Sequence, residues 1–404
     1  MTDYMAGIVG PPNVGKSTFF AASTLIDVKI APYPFTTIEP NVGVGYVRVE
    51  CVCKEFNVRD NPRNSMCING YRFVPVTLID VAGLVPDAWK GRGLGNQFLD
   101  HVRRAAVLLI VIDASGTTDA EGRKVKPGTH DPREDVKFLE RELDMWVYQM
   151  LKGDWDRIVK QVEVAKKDIR EVLTRRLSGL GITVDKVMDT LRYCDLENKR
   201  ISLWNDEDLM SFVRRLREVS KPGVIVANKA DLPYAEENIK LLKEEYEPKY
   251  KVIPTSAEAE LALRKATRAN LIKYIPGDSA FEIVDSSKLT EKQKKALKYI
   301  EENVLEKWGT TGVQDAINTA FLDVLGMVVV FPVEDENKLT DHRGNVLPDA
   351  FLMPKGSKVI DLARKIHSEL AEKFIAAIDV RTKRRIGMDY VLKNRDIIKI
   401  IAGR

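Results

Sequence analysis

Cysteine is scarce in this 404-residue chain: four thiols, Cys51, Cys53, Cys67 and Cys194, are too few for the cross-linked scaffold of a small secreted domain, and a reducing, cytoplasmic setting is expected. Long apolar runs are missing as well. Nothing approaches the roughly eighteen residues that span a bilayer, and residues 1–15 lack the charged head and apolar centre of an export signal, so neither a membrane span nor export by that route is expected. Glutamine occurs only at positions 97, 149, 161, 293 and 314 against abundant Lys and Glu, a heat-adapted bias that carries no information on activity. Net charge is small: 63 basic and 59 acidic side chains leave +4, which excludes a uniformly basic coat for nucleic acid and leaves room only for a local patch. With 44% hydrophobic and 30% charged residues, disorder over most of the length is excluded. At about 150 residues per domain, two or three domains are expected, and a monomer is the expected state.

Short Val/Ile-rich runs at residues 6–9, 71–79, 107–112, 223–227 and 251–254, bounded by Gly, Pro or Asp, read as buried strands. The first leads through a glycine loop into a helix-compatible stretch at 17–25, the opening of a wound α/β domain. From residue 134 to 219 the period becomes helical. Val136, Leu139, Leu143, Trp146, Val147 and Met150 share one face, and Ile158, Val162, Ala165, Ile169 and Val172 then step by four and three, close to a coiled-coil seam. A two-helix hairpin on the domain flank and a projecting partner-binding arm fit that pattern equally. Helices are expected over 258–272 and 290–308, after which strands surround one amphipathic helix at 358–374, a small β-grasp-like α+β unit. The expected organisation is thus an α/β domain with a mainly parallel sheet over residues 1–133 and 220–324, a helical insertion at 134–219, and a β-grasp-like domain at 325–404.

Gly10-Pro11-Pro12-Asn13-Val14-Gly15-Lys16-Ser17 fits the phosphate loop G-x-x-x-x-G-K-[ST] in its required setting, after a strand and before a helix. Glycines let backbone N–H groups wrap phosphates, the helix N-terminus adds its dipole, Lys16 reaches the outer phosphates and Ser17 can hold magnesium. Asn13, Gly15, Lys16, Ser17 and Thr18 form the expected nucleotide-binding set of this loop. Asp80-Val81-Ala82-Gly83 ends the strand at 71–79; the carboxylate can orient a magnesium-bound water, and the Gly83 N–H can meet a terminal phosphate. Asn228-Lys229-Ala230-Asp231 follows another strand. A carboxylate there accepts from the ring N–H and exocyclic amine of guanine, whereas adenine would leave it unpaired. Thr255-Ser256-Ala257, after the next strand, supplies a tight turn whose backbone, at Ser256 and Ala257, can contact the base oxygen.

These four motifs, in this order and each after a strand, resemble the guanine-nucleotide-binding fold of the P-loop GTPases. Tyr33-Pro34-Phe35-Thr36-Thr37-Ile38-Glu39-Pro40-Asn41, Asp80 to Leu84 and Gly93-Leu94-Gly95-Asn96-Gln97-Phe98-Leu99 narrow the resemblance to the Obg-related GTPases of the YchF branch, which also carry a helical insertion and a C-terminal TGS domain. The resemblance implies that Thr37, or else Thr36, touches magnesium and the terminal phosphate, with Lys16 and Gly83 completing the catalytic set and Ser17, Thr37 and Asp80 the metal set. It also implies that Asn13 holds potassium beside the phosphates, the alternative being a turn-stabilising role. Members that prefer ATP end the base-reading loop in N-x-x-E; Asp231 restores the guanine type, so GTP over ATP is expected. Leu84 stands where Ras-like enzymes place the water-orienting glutamine and has no polar atom, so unaided hydrolysis should be slow. Gly91 to Gly95 suggests a mobile switch, and His101 just beyond reads as a solvated helix residue rather than a base.

Two features fall outside the resemblance. Cys51-x-Cys53 and Cys67 offer three thiolates for zinc, with Asp60 or water as fourth ligand, but a lone C-x-C is weak and free reduced thiols are the default expectation. From Lys355 to Arg404, thirteen basic and six acidic residues give a local +7, densest at Arg381-Thr382-Lys383-Arg384-Arg385, while residues 1–354 carry −3. That cluster suits RNA phosphates or is a solvated face. The expectation is a GTPase using Mg2+ that binds GTP and GDP and engages RNA or the ribosome through its basic C-terminal domain, against two alternatives: an ATPase of the YchF type, or a nucleotide sensor that hydrolyses negligibly alone.

Overall fold

The computed structural model describes residues 4–24, 41–81, 83 and 101–403. Its strands in chain order are β1 (Met5–Val9), β2 (Val42–Glu50), β3 (Met66–Ile68), β4 (Tyr71–Asp80), β5 (Val107–Asp113), β6 (Gly223–Asn228), β7 (Lys251–Pro254), β8 (Ile272–Lys273), β9 (Glu282–Ile283), β10 (Met327–Val333), β11 (Phe351–Pro354), β12 (Phe374–Asp379), β13 (Arg384–Ile386) and β14 (Asp396–Ala402). The chain divides into two compact units, one of Tyr4–Phe20 and Leu78–Glu258, the other of Ala21–Thr77 and Ala259–Arg404.

In the first unit β1, β5, β6 and β7 run parallel in that order, with Ile8 opposite Leu109, Val111 opposite Val226 and Ile225 opposite Val252. Every residue of β5 and β6 is buried, which is why these strands read as unbroken apolar runs rather than as alternation. Parallel strands need crossovers, and ligands gather beyond their carboxyl ends. Three of the four motif loops leave from those ends, after β1, β6 and β7, and the D-x-x-G loop leaves the carboxyl end of β4.

The insertion is neither a two-helix hairpin nor a long seam. Helices Pro132–Lys152, Ile169–Leu177, Val184–Tyr193 and Asp206–Ser220 enclose a core of their own, with Leu151, Leu173, Leu177, Leu191, Phe212 and Val213 almost wholly buried. The expected run through Ile158 to Val172 is broken: a helix over Trp155–Val159 passes into a wide π-type turn at Lys160–Val164, and Lys166 then takes a left-handed φ of 54°. Asp168 restarts the chain by accepting the Arg170 N–H as an N-cap.

In the second unit β3 pairs antiparallel with β4, Met66 opposite Phe73. Strand β2 went unpredicted because Gly43 and Gly45 interrupt its alternation. The C-terminal sheet has the order β11-β10-β14-β12-β13, with β10 and β14 parallel at its centre and the other pairs antiparallel. Together with the parallel sheet of the first unit this is the expected α/β P-loop fold with a β-grasp domain. The helix expected at 358–374 is two, Val359–Ile366 and Ser368–Glu372, because His367 is extended and caps the second by accepting the Glu369 N–H. Among the described residues no helix is long and apolar enough to cross a membrane.

Candidate functional site

The phosphate loop joins β1 to helix Lys16–Thr24. Gly10 has a φ of 151°, and a Cβ there would lie 2.1 Å from the Val111 carbonyl oxygen, so only glycine fits the approach to β5. Lys16 is 8% exposed; its Nζ donates to the Pro11 carbonyl at 2.5 Å, and burial lowers its pKa from 10.5 to about 8 despite the opposing pull of Asp80. Ser17 Oγ donates to Asp80 Oδ2 at 3.0 Å, while burial pushes the Asp80 carboxyl above its usual range against the effects of Ser17 and Lys16. Gly83 backs onto the same loop: a Cβ there would sit 3.2 Å from Lys16 Nζ and 3.2 Å from Pro12 Cα. Lys16, Ser17, Asp80 and Gly83 therefore meet, and a hydroxyl beside a carboxylate is a hard-oxygen donor pair of the kind magnesium takes.

The N-K-x-D motif is tied to this loop through Asn228. Its Nδ2 donates to the Val14 carbonyl at 2.8 Å and its Oδ1 accepts the Ala257 N–H at 3.0 Å, so one 3%-exposed side chain spans the phosphate loop and the T-S-A turn. Gly15, at a φ of 98°, is required here as well, since a Cβ would fall 2.3 Å from Asn228 Nδ2. Thr255 N–H donates to Ala227, and Ala230 N–H to Thr255, closing the two loops on each other. Ser256 and Ala257 are buried, Asp231 is half-buried, and Thr18 is half-buried on the first turn of its helix. Asn13 takes a left-handed φ of 61° and donates its Nδ2 to the Gly122 carbonyl at 2.8 Å.

One member of the site escaped the sequence reading. Asp113, at the end of β5 and fully buried, accepts from the Ser115 N–H at 3.0 Å and from the Ser115, Thr117 and Thr118 hydroxyls at 2.5, 2.7 and 2.7 Å. Lys229 Nζ completes the set at 2.7 Å. Burial opposes ionisation of Asp113, but Lys229 and the hydroxyls outweigh it and hold the carboxyl below its ordinary value. The available signal was the pattern Asp-x-Ser-x-Thr-Thr directly after an apolar strand. Thr36, Thr37, Leu84 and the 91–95 segment lie outside the described residues. His101 is half-buried rather than solvated, and its buried Nδ1 has no hydrogen-bond partner among the described residues.

The basic cluster of the C-terminal sheet is partly spent within its own unit. Arg381 binds Glu55 through Nε and Nη2 at 2.6 and 2.9 Å, and Lys383 Nζ donates to the Glu336 carbonyl at 2.5 Å. Arg384 and Arg385 stay exposed on β13 at the sheet's end.

Comparison with known proteins follows the same lines. The family model described as 50S ribosome-binding GTPase matches residues 5–146, that of the Obg-like GTPase YGR210-like, G4 motif-containing domain matches 226–335, and that of the TGS domain matches 344–402. An uncharacterized GTP-binding protein of Methanocaldococcus jannaschii is similar at 52% identity over 99% of both chains. The ribosome-binding ATPase YchF of Bacillus subtilis is similar at 25% over 97% of both. Among solved structures, a GTP binding protein from Pyrococcus horikoshii OT3 aligns with a TM-score of 0.78 at 41% identity, covering 99% of this chain and all of that one.

Proposed function

The chain belongs to the Obg-related P-loop GTPases of the YchF branch, with a C-terminal TGS domain, and from that membership we propose that it is a guanine-selective switch that hydrolyses GTP slowly by itself and engages the ribosome or RNA. The observation that carries guanine selectivity is Asn228, which holds the phosphate loop and the T-S-A turn in place around a base-reading loop ending in Asp231 rather than Glu.

In this reading Lys16 trades its Pro11 carbonyl for phosphate oxygens, and the Gly83 N–H meets the terminal phosphate. Ser17, with Thr37 as the resemblance implies and Asp80 beside it, would hold magnesium, which would supply positive charge to the phosphates. Asp231 accepts from guanine, with Ser256 and Ala257 at the base oxygen. Leu84 offers no donor or acceptor to the attacking water, so the missing group comes from elsewhere. Asn13 Nδ2 is committed to Gly122, so its amide oxygen is the atom that would hold potassium; equal turnover in potassium and sodium buffers would remove that ion from the account. Ribosome engagement rests on the names of relatives and on exposed Arg384 and Arg385.

The test measures GTP and ATP affinity and turnover, with and without ribosomes in potassium buffer, for the wild type and Asp231→Asn. GTP preferred by the wild type and lost in the variant, with turnover raised by ribosomes, is expected. Comparable tight binding of ATP by the wild type would sink guanine selectivity, and turnover near zero under every condition would favour a nucleotide sensor.

A further inference from the structure

The cysteines near the start of the second unit belong to none of the four nucleotide motifs. Cys51 follows β2, Cys53 lies in the short helix Val52–Glu55, Cys67 is the middle residue of β3, and Asp60 is in the connection between them. Spacing alone favoured free thiols, because C-x-C and a cysteine fourteen residues on need not meet. The fold makes them meet. Cys51 Sγ lies 3.1 Å from Asp60 Oδ2, Cys53 Sγ lies 3.7 Å from Cys67 Sγ, and one ligand atom from each of the four residues falls within 4.8 Å of the others. In a tetrahedral zinc site with Zn–S near 2.3 Å, neighbouring sulfurs stand about 3.8 Å apart, and a carboxylate oxygen about 3.5 Å from a sulfur.

We infer that Cys51, Cys53, Asp60 and Cys67 bind a structural zinc ion, closed by four protein ligands. Three sulfurs and one carboxylate oxygen suit zinc over magnesium or calcium, which take oxygen ligands. A Cys53–Cys67 disulfide would use only two of the four gathered groups.

The surroundings fit a metal centre. Arg72 is fully buried; its Nη2 donates to Asp60 Oδ2 at 2.7 Å, its Nη1 to Ser65 Oγ at 3.0 Å, and both reach the Leu347 carbonyl at 3.1 Å. It orients the carboxylate ligand and offsets one of the two excess negative charges that three thiolates and a carboxylate would leave around a divalent ion. Cys51 and Cys53 are buried, whereas Cys53, Asp60 and Cys67 also line an open cleft with Asn57, Asn69 and Gly70, which gives the ion a way in.

The site has a structural task in view. Directly after Asp60, the Asn61 and Arg63 N–H groups donate to the Val346 and Pro348 carbonyls at 3.1 and 2.7 Å, and Asn64 exchanges hydrogen bonds with Ala350 at 3.1 and 2.9 Å. A metal fixing Asp60 would fix the start of the strip to which the C-terminal region is bonded. This inference stands apart from the GTPase reading, and its test does not involve nucleotide.

The full-length protein, purified under reducing conditions without a metal-binding tag, is expected to carry close to one zinc per chain by elemental analysis. Stripped with a chelator and reduced, it should take up Co2+ with the visible bands of a tetrahedral ion and a thiolate-to-cobalt charge-transfer band sized for three sulfurs. Asp60→Asn and Cys67→Ser should weaken Co2+ binding by about 10-fold or more, and returning Zn2+ but not Mg2+ to the stripped wild type should raise its melting temperature. Because the variants can fail to fold, the wild-type measurements decide. Zinc well below one per chain together with no thiolate-to-cobalt band would overturn the site, and so would an intact mass short of two hydrogens with Cys53 linked to Cys67.

Discussion

Burial disfavours the charge on Lys16, and in the proposed function nucleotide phosphates would favour it. Its pKa in the nucleotide-free protein is about 8, and phosphate oxygens favour the ammonium form, so binding above that pH must take up a proton. Affinity for GDP should be level below pH 8 and then fall, approaching tenfold per pH unit, in titrations run from pH 6.5 upward. The sign for stability is the reverse. Between about 8 and the ordinary 10.5 the unfolded chain keeps a proton the folded one has released, so Lys16 makes the free protein more stable as pH rises through that window. Asn228 gives a second prediction at this scale. Asn228→Ala leaves the Val14 carbonyl and the Ala257 N–H without their buried partner, at about 1–3 kcal/mol each. GDP affinity should drop at least about tenfold and the melting temperature should fall with it, both read in one thermal-shift series against nucleotide concentration.

Among the elements, the insertion behaves as a small domain with its own core, and its stability can be probed apart from the nucleotide loops. Phe212 is fully buried there, 5.7 Å from the Trp204 ring. Phe212→Ala should cost about 3–5 kcal/mol in urea unfolding while GDP affinity, measured below the transition, stays as it was. The strands of the parallel sheet were legible because burial on both faces leaves a run such as residues 107–112 wholly apolar, and polar or turn residues mark its end. The breaks were not. Lys166 and His367 depart from the helix through backbone angles that no side-chain pattern announces. At the site, the motif letters located Asn228 and Lys229 but were silent on their partners. That Asn228 reaches the phosphate loop and Lys229 answers a buried Asp113 depends on chain segments more than a hundred residues away. Spacing was equally silent on the cysteine loop, where a strand return brings Cys53 Sγ to 3.7 Å from Cys67 Sγ.

For the whole molecule, the near-neutral total hides a basic C-terminal region whose charges are not equally available. Arg381, Lys383, Arg395 and Lys399 are engaged with Glu55, Glu50 or Glu336 and its neighbour, leaving Arg384 and Arg385 as the exposed pair on β13. If RNA is bound through this face, Arg384→Ala with Arg385→Ala should weaken binding uniformly across sequences and reduce the slope of log affinity against log salt by about 0.7–0.9 for each phosphate that is no longer neutralised. An unchanged slope in a filter-binding series would place the RNA on another face.

The hydrogen bonds joining Asn61 and Asn64 to residues 345–350 link positions about 285 apart in the chain. A ribosome adding about 5–20 residues per second delivers the second partner roughly 15–60 s after the first. Throughout that interval the early loop has emerged while its bonding edge is still being synthesised. A chain released before residue 345 has none of those partners, and its Asn61 and Asn64 side chains bond to water instead.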